Sequence, residues 1–518
     1  MFFLKKNLFL FKYLFILFPF LLISGPFLSD FFVTLLAILT ILFFQKKEYF
    51  LLKNRLIIFF FFFYFYININ SFFSYRVLES LSTTLPYIRM ILFAIFFAYI
   101  LNEITNLKKI IFFSFLFAYL ILFIDSIIQL KTNTNILGHS ILQGRISSFF
   151  GDKLIMGSFV FRTLPILIAI SYLENFKQGN FLRFFLICLA TCLVFFSAER
   201  VSLFYFIMIV LLYLILLPSK KQFLLFIGAL TILFSLLSFS KPSTIDRVFK
   251  HTSFQLKEKK GSWFSERHEM HFITAYRMFL DNKFLGHGIK SFRYLCDQEP
   301  YSTRDLIEKN NRNYSPIDGY YYLKKNLVED KTFVYYILEN QKTEFEKISK
   351  TLEDSQIIKN ESKIQDAEKD LYLFEKNNLI ITFQINNNVL DSIKSPSKVR
   401  KGDYVFSNND FVNGCNTHPH SFHLQFLSEL GLFGYIFLFV FFIYLNFIFF
   451  KNFANIFFKK QRTTERNYIL YKIFIILALI QHLFPIIPSG NFFNNWLSIF
   501  FYFELAFLLN FLYYNKKC

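Results

Sequence analysis

The sequence predicts an all-α polytopic membrane protein of about twelve transmembrane helices, with a large external loop containing amphipathic helices and a small α/β insertion. Three observations predict it. Of 518 residues, 54% are hydrophobic and 80 are Phe, far beyond the usage of a soluble domain. Apolar stretches of about twenty residues, the length that crosses a bilayer, recur along the chain. One long polar segment, from about Lys241 to Ser421, interrupts them.

The spans fall near 8–25, 28–45, 56–74, 87–101, 110–129, 154–172, 184–199, 201–218, 223–240, 422–450, 467–487 and 497–513. Nine thus lie in residues 1–240 and three in 422–518, on either side of the polar segment at 241–421. The first follows Lys5 and Lys6 as a signal peptide would, but it has no small-residue cleavage site and runs straight into a second span. Abundant Phe, Lys, Asn and Ile together suggest an AT-rich genome, so the Phe tracts read as lipid-facing filler.

A formal charge of +20 in a soluble protein would point to nucleic acid; here Lys and Arg punctuate the apolar spans instead. No basic patch interleaved with aromatic residues accompanies them, which excludes that partner. Alternate loops carry Lys46, Lys47, Lys53 and Arg55, then Lys108 and Lys109, Lys177 and Arg183, Lys220 and Lys221, the cluster from Lys451 to Arg466, and Lys516 and Lys517. The positive-inside rule makes that set cytoplasmic, with both termini inside and the polar segment outside.

Within the polar segment, Ser262 to Asp281 has helical spacing and ends before Gly286 and Gly288, which predicts an amphipathic helix and a turn. Residues 298 to about 413 read as an insertion. Glu339 to Glu375 is charged and helix-prone, whereas Leu379 to Phe406 alternates like a strand and includes the turn Lys401-Gly402-Asp403. Cys188 and Cys192 lie inside a span and Cys518 at the end of the chain. Cys296 and Cys415 flank the insertion, and in an oxidising compartment they could pair.

The segment Asn416 to Gly434 places His418, His420 and His423 where the polar segment meets an apolar run. Pro419 suits a first helical turn and Asn416 or Thr417 can cap it, so His420 is expected at a helix N-terminus, which favours a neutral imidazole able to take a proton. On a continuous helix His420, Leu427, Gly431 and Gly434 would share one stripe, above a groove for a helix or a lipid chain. His418 and His423 read as structural or acceptor-facing. Arg200 ends the seventh span in Phe196-Ser-Ala-Glu-Arg200. Arg267 heads the external helix with His271, Thr274 and Met278 on its face. Arg145 lies in an outer loop, and Arg162 lies inside a span, where it must snorkel or line a cavity. Asp125 and Glu504 show no evident partner. His268 and His271 invite a metal, yet His268-Glu-Met-His271 is one residue short of the zinc motif, so no metal and no cofactor are assigned. No Walker loop, dinucleotide fingerprint or nucleophile elbow is present.

Four stretches, taken in order, resemble the O-antigen ligase family of the O-antigen ligase and polymerase superfamily. His420-Ser421, nine residues, Gly431, two residues and Gly434 is similar to the ligase histidine pattern. Arg267 onward through Asn282-Lys-Phe-Leu-Gly-His-Gly288 looks like the family's external helix and turn, Ser197 to Ser202 like its arginine corner, and Gly144 to Asp152 like its earlier outer loop. The corner departs from the pattern, because Leu203 comes one position early and Phe204 takes the expected place.

The resemblance implies metal-independent, inverting glycosyl transfer at the periplasmic face, from a glycan on undecaprenyl diphosphate to a sugar hydroxyl of lipid A-core. His420 would be the base. Arg200 and Arg267 would hold the diphosphate, with Arg145, Arg162 and His418 as further substrate-binding candidates. A weakly acidic hydroxyl needs a neutral base and a departing diphosphate needs fixed positive charge, so these residue types suit that chemistry. The alternatives are an O-antigen polymerase, a ligase acting on protein side chains, and a lipid-glycan transporter. Transport fits less well, since transporters gather polar features near the midplane in paired halves.

Overall fold

In a computed structural model the chain folds as an all-α polytopic membrane protein. The structure describes residues 2–43, 53–250 apart from 143 and 175, 264, 266–303, five strands between 323 and 385, 415–458, and 462–514 apart from 486. Among the described residues eight helices are long and apolar enough to cross a membrane, while twelve crossings is the number expected from sequence. The apolar helices are α1 (Phe2–Ile23), α2 (Pro26–Phe43), α3 (Arg55–Phe72), α5 (Ile88–Glu103), α6 (Leu107–Thr132), α7 (Met156–Leu173), α8 (Gly179–Ser197), α9 (Arg200–Ile215), α10 (Lys220–Ser240), α15 (Gly431–Phe458), α16 (Thr463–His482) and α17 (Asn495–Tyr514). Between them run shorter helices: α4 (Val77–Thr84), α11 (Pro242–Ile245), α12 (Glu266–Asp281), α13 (Phe292–Leu295) and α14 (Phe422–Gln425).

Burial divides the bundle. Helices α5, α7, α16 and α17 form its centre, where Phe93, Phe97, Phe159, Phe500 and Phe503 interlock with almost no exposed surface. Many of the other Phe, on α3, α10 and α15, do face outward. Lipid-facing filler therefore describes only part of the Phe content, because edge-to-face and stacked rings also pack the core.

The external segment begins as sequence spacing indicates, with α12 ending at Asp281 ahead of the Gly286 and Gly288 turn. Inside the insertion five strands form one sheet: β1 (Leu323–Lys324), β2 (Thr332–Leu338), β3 (Gln356–Ile358), β4 (Asp370–Lys376) and β5 (Leu379–Ile385), in the order β1-β2-β5-β4-β3. Only β2 and β5 run parallel. Strands β3 and β4 correct the helix-prone reading of Glu339 to Glu375 for the residues they cover. In Asp370-Leu-Tyr-Leu-Phe-Glu-Lys376 a short apolar run with two aromatic residues is bounded by charges, as in a buried strand, and only Asn377 and Asn378 separate β4 from β5 in the sequence. The Lys401-Gly402-Asp403 turn lies outside the described residues.

Candidate active site

The histidine segment departs from the expected geometry. Pro419 does not open a helix, and neither Asn416 nor Thr417 caps one. Ser421 is the N-cap of α14, its hydroxyl accepting from Leu424 N at 3.4 Å, and His420 stands just before it with φ of 54°. The cause is tertiary. Ser489 N donates to His420 O at 2.8 Å and Phe422 N donates to Ser489 Oγ at 2.8 Å, which pins the chain where a helix would otherwise begin.

Nor is the run after His420 one continuous helix. Residues Phe426–Leu430 form a π turn, and Gly431, with φ of 65°, interrupts the chain before α15. The break is filled by the external turn: His287 N donates to Ser428 O at 3.0 Å, Gly288 N to Glu429 O at 2.7 Å, and Leu432 N to Lys283 O at 2.7 Å. A Cβ on Gly286 would lie 2.5 Å from Glu429 C, and one on Gly431 would strike Phe284 O. Gly434 is closed by Tyr66, whose hydroxyl donates to Leu430 O at 2.5 Å. These glycines serve backbone contact with the external turn and α3; they do not line an open groove.

That docking sets α12 beside His420. The His420 ring lies 5.4 Å from His268, 5.3 Å from His271 and 4.2 Å from His418, centre to centre. Asn416 Oδ1 accepts from Thr417 N at 2.7 Å, so its amide nitrogen is the group 3.0 Å from His420 Nε2. Nε2 is therefore the acceptor nitrogen of His420. Thr417 Oγ1 holds His418 Nδ1 at 3.0 Å. His423 points elsewhere, bound by Tyr435 and by Leu483 O. Arg267 belongs to α12, one turn before His271. Cys296 and Cys415 form a disulfide with Cα atoms 4.9 Å apart, joining α13 to the start of the histidine segment.

A second group of charges lies at the same end of the bundle. Arg200 opens α9 and its guanidinium donates to Arg247 O at 3.3 Å. Lys241 Nζ donates to Phe196 O at 3.1 Å, and burial pushes its pKa down to about 8, with Arg145 and Arg247 adding to the shift. Arg145 acts as a strut: it donates to Ser197 O at 3.1 Å and Leu154 O at 2.6 Å, and it lies 3.7 Å from Glu199. Burial raises the Glu199 carboxyl, while Arg145 and donors from Gly157, Ser158 and Ser202 oppose that shift. Phe484 links α9 to the histidine segment outside the histidine cluster: its ring meets Phe204 and Tyr205, and the carbonyl of its neighbour Leu483 binds His423. Phe204, the departure from the family pattern, thus makes that connection.

Arg162 corrects the expectation that it snorkels or lines a cavity. It is buried in the bundle, where its Nη1 donates to His482 Nδ1 at 2.6 Å and His482 Nε2 donates to Glu504 at 3.1 Å. Glu504 accordingly has a partner. So does Asp125, which accepts from Ile136 N at 2.9 Å and Ser148 Oγ at 2.5 Å and orders the loop between α6 and α7. Sequence reasoning missed Lys241, Arg247 and His482, and it read Asn416 only as a cap. The available signals were Lys241-Pro242 closing a span and a third ionisable group, His482, among the buried segments.

Among the described residues no group of three or more His, Cys, Asp or Glu side chains is placed to hold a metal ion. No curated protein and no solved structure matches the chain. Residues 184–321, which run from α8 past the Gly286 to Gly288 turn and include Arg200 and Arg267, match the family model described as O-antigen ligase.

Proposed function

We propose that this protein is an O-antigen ligase, which transfers a glycan from undecaprenyl diphosphate to a sugar hydroxyl of lipid A-core at the periplasmic face. The observation that carries the proposal is His420 Nε2, an acceptor nitrogen held by Asn416 amid three further imidazoles, at the end of the bundle that also gathers Arg200, Lys241 and Arg247. The acceptor hydroxyl displaces the Asn416 amide and gives its proton to His420 Nε2. Its oxygen attacks the anomeric carbon as the bond from that carbon to the diphosphate breaks, and the configuration inverts. Charge on the leaving diphosphate is met by fixed cations, for which Arg200 and Arg267 are the primary candidates, with Lys241 and Arg247 beside Arg200. His418 orients the acceptor next to the base. Arg145 supports the corner from behind, and Arg162 is withdrawn into the bundle.

The test is reconstitution with undecaprenyl-diphosphate glycan and lipid A-core, comparing wild type with His420→Ala and Arg267→Ala. Transfer should collapse in the first and lose donor affinity in the second. Undiminished transfer by His420→Ala removes the base from the scheme. Preference for a second undecaprenyl-linked glycan as acceptor selects a polymerase, and preference for a protein hydroxyl selects protein glycosylation.

A further inference from the structure

At the far end of α8, about 28 Å from the arginine corner at 1.5 Å per residue, a cavity of about 680 Å³ opens among Lys177, Gln178, Asn180, Arg183, Tyr172 and Asn467. Its volume is that of pockets which take small organic groups. Two independent features give it a preference for negative charge. First, α8 starts there at Gly179, and its N-cap residue Gln178 makes no side-chain capping hydrogen bond, so the positive end of a 19-residue helix lies at the cavity uncapped by that residue. Second, Arg183 is only 8% exposed and its Nε–H has no hydrogen-bond partner among the described residues. The rest of that guanidinium is fixed in place: it donates to Ser171 O at 3.0 Å and Asn180 Oδ1 at 2.5 Å, and lies 4.1 Å above the Tyr172 ring. A buried guanidinium with an unmade bond is stabilised by an anion in reach. Lys177 supplies a second, exposed cation. The neighbouring carboxylate, Glu174, is matched electrostatically by Lys108 and Lys109.

We propose that this cavity binds a phosphate-bearing headgroup, that of an acidic phospholipid in the leaflet opposite the histidine cluster. Phe181, well exposed on the lining of the cavity, stacks on Phe185 with ring centres 6.3 Å apart, giving acyl chains an apolar track beside the charged groups. Positive residues cluster in the loops at this end, as they do where proteins meet anionic leaflets.

The protein is incorporated in nanodiscs of phosphatidylcholine alone or with phosphatidylglycerol, extracted gently, and its retained lipid counted by native mass spectrometry. Asn180→Asp places a carboxylate on the Arg183 guanidinium without removing a packed side chain, and Lys177→Gln removes the exposed cation, so neither requires refolding of the bundle. Wild type should retain phosphatidylglycerol, and each variant should retain about tenfold less, the effect of one charge-assisted hydrogen bond. Insensitivity of that retention to added inorganic phosphate supports a lipid headgroup. Displacement by inorganic phosphate, with thermal stabilisation by phosphate alone, assigns the pocket to a free anion and overturns the lipid assignment. Equal retention in wild type and both variants overturns the site altogether. Transfer activity is not the readout, so the outcome is independent of the ligase proposal.

Discussion

Asn416→Asp isolates the proton acceptor from every other feature of the site. In the structure Asn416 Oδ1 is used by Thr417 N, which leaves the amide NH₂ to donate to His420 Nε2 at 3.0 Å. Aspartate keeps the first contact and inverts the second. A carboxylate oxygen facing Nε2 requires a proton there, which the imidazole supplies either by changing tautomer or by becoming imidazolium. In both states the nitrogen that should take the acceptor proton already carries one. A hydrogen bond to a charged group is worth about 1.5–3 kcal/mol, so at neutral pH the competent form falls about ten- to a hundredfold at 1.4 kcal/mol per decade. Single-turnover transfer in proteoliposomes, measured over about pH 6 to 9, should show that loss in rate with donor affinity unchanged. Because the carboxylate favours the charged ring, the alkaline side should recover part of the rate. Asn416→Ala offers no acceptor and should lose less, with no shift in the pH profile. Identical rates and profiles for the Ala and Asp variants would reduce Asn416 to a structural residue and refute the assignment of Nε2.

Four further outcomes follow from the same geometry. Gly431→Ala should lower the unfolding temperature in detergent, because its φ of 65° with ψ of −169° is glycine territory and costs about 1–3 kcal/mol for other residues, before the clash with Phe284 O. Glu504→Leu should destabilise by about 3–5 kcal/mol by leaving Arg162 buried and uncompensated; adding Arg162→Met and His482→Leu should restore most of the loss in thermal unfolding. Burial pushes the Lys241 pKa down to about 8, so the contribution to holding the donor proposed for it is lost as pH rises through that value. Donor KM should rise about tenfold above that point, and Lys241→Arg should move the rise to a higher pH. Deleting residues 304–411 should leave donor binding intact in a stably inserted protein, and loss of binding would show that the insertion builds the site.

Much of this fold is legible because a bilayer imposes it. Apolar runs became apolar helices, eight of them long enough to cross a membrane among the described residues, and α12 followed from helical spacing ended by glycine. The failures share one cause, which is that several local solutions were each adequate until distant contacts selected one. Asn416, Thr417 and Ser421 are all competent caps, and Ser489, reached only through the fold, decides among them. Gly431 and Gly434 lie within what reads as one unbroken apolar run over 422–450, yet the Lys283 to Gly288 turn inserts its backbone at Gly431 and breaks it. The intramembrane charges were visible singly. Only packing of α7 against α16 and α17 turns Arg162, His482 and Glu504 into one chain of hydrogen bonds.

The histidine cluster also explains why a large insertion is tolerated beside it. Its members come from two segments on either side of residues 304–411, and each segment is fastened to the bundle independently of that stretch: α12 through the Gly286 to Gly288 turn on Ser428 and Glu429, and the histidine segment through Ser489. The Cys296–Cys415 disulfide then ties the two segments together at the base of the insertion, closing 119 positions of chain into a loop. Cross-linking a loop of that length restricts the unfolded chain by about 4–5 kcal/mol, and it makes the separation of the segments independent of what lies between them. Sequence change in the insertion can therefore alter what approaches the site from outside, while the spacing of His268, His271, His418 and His420 is set by the bundle.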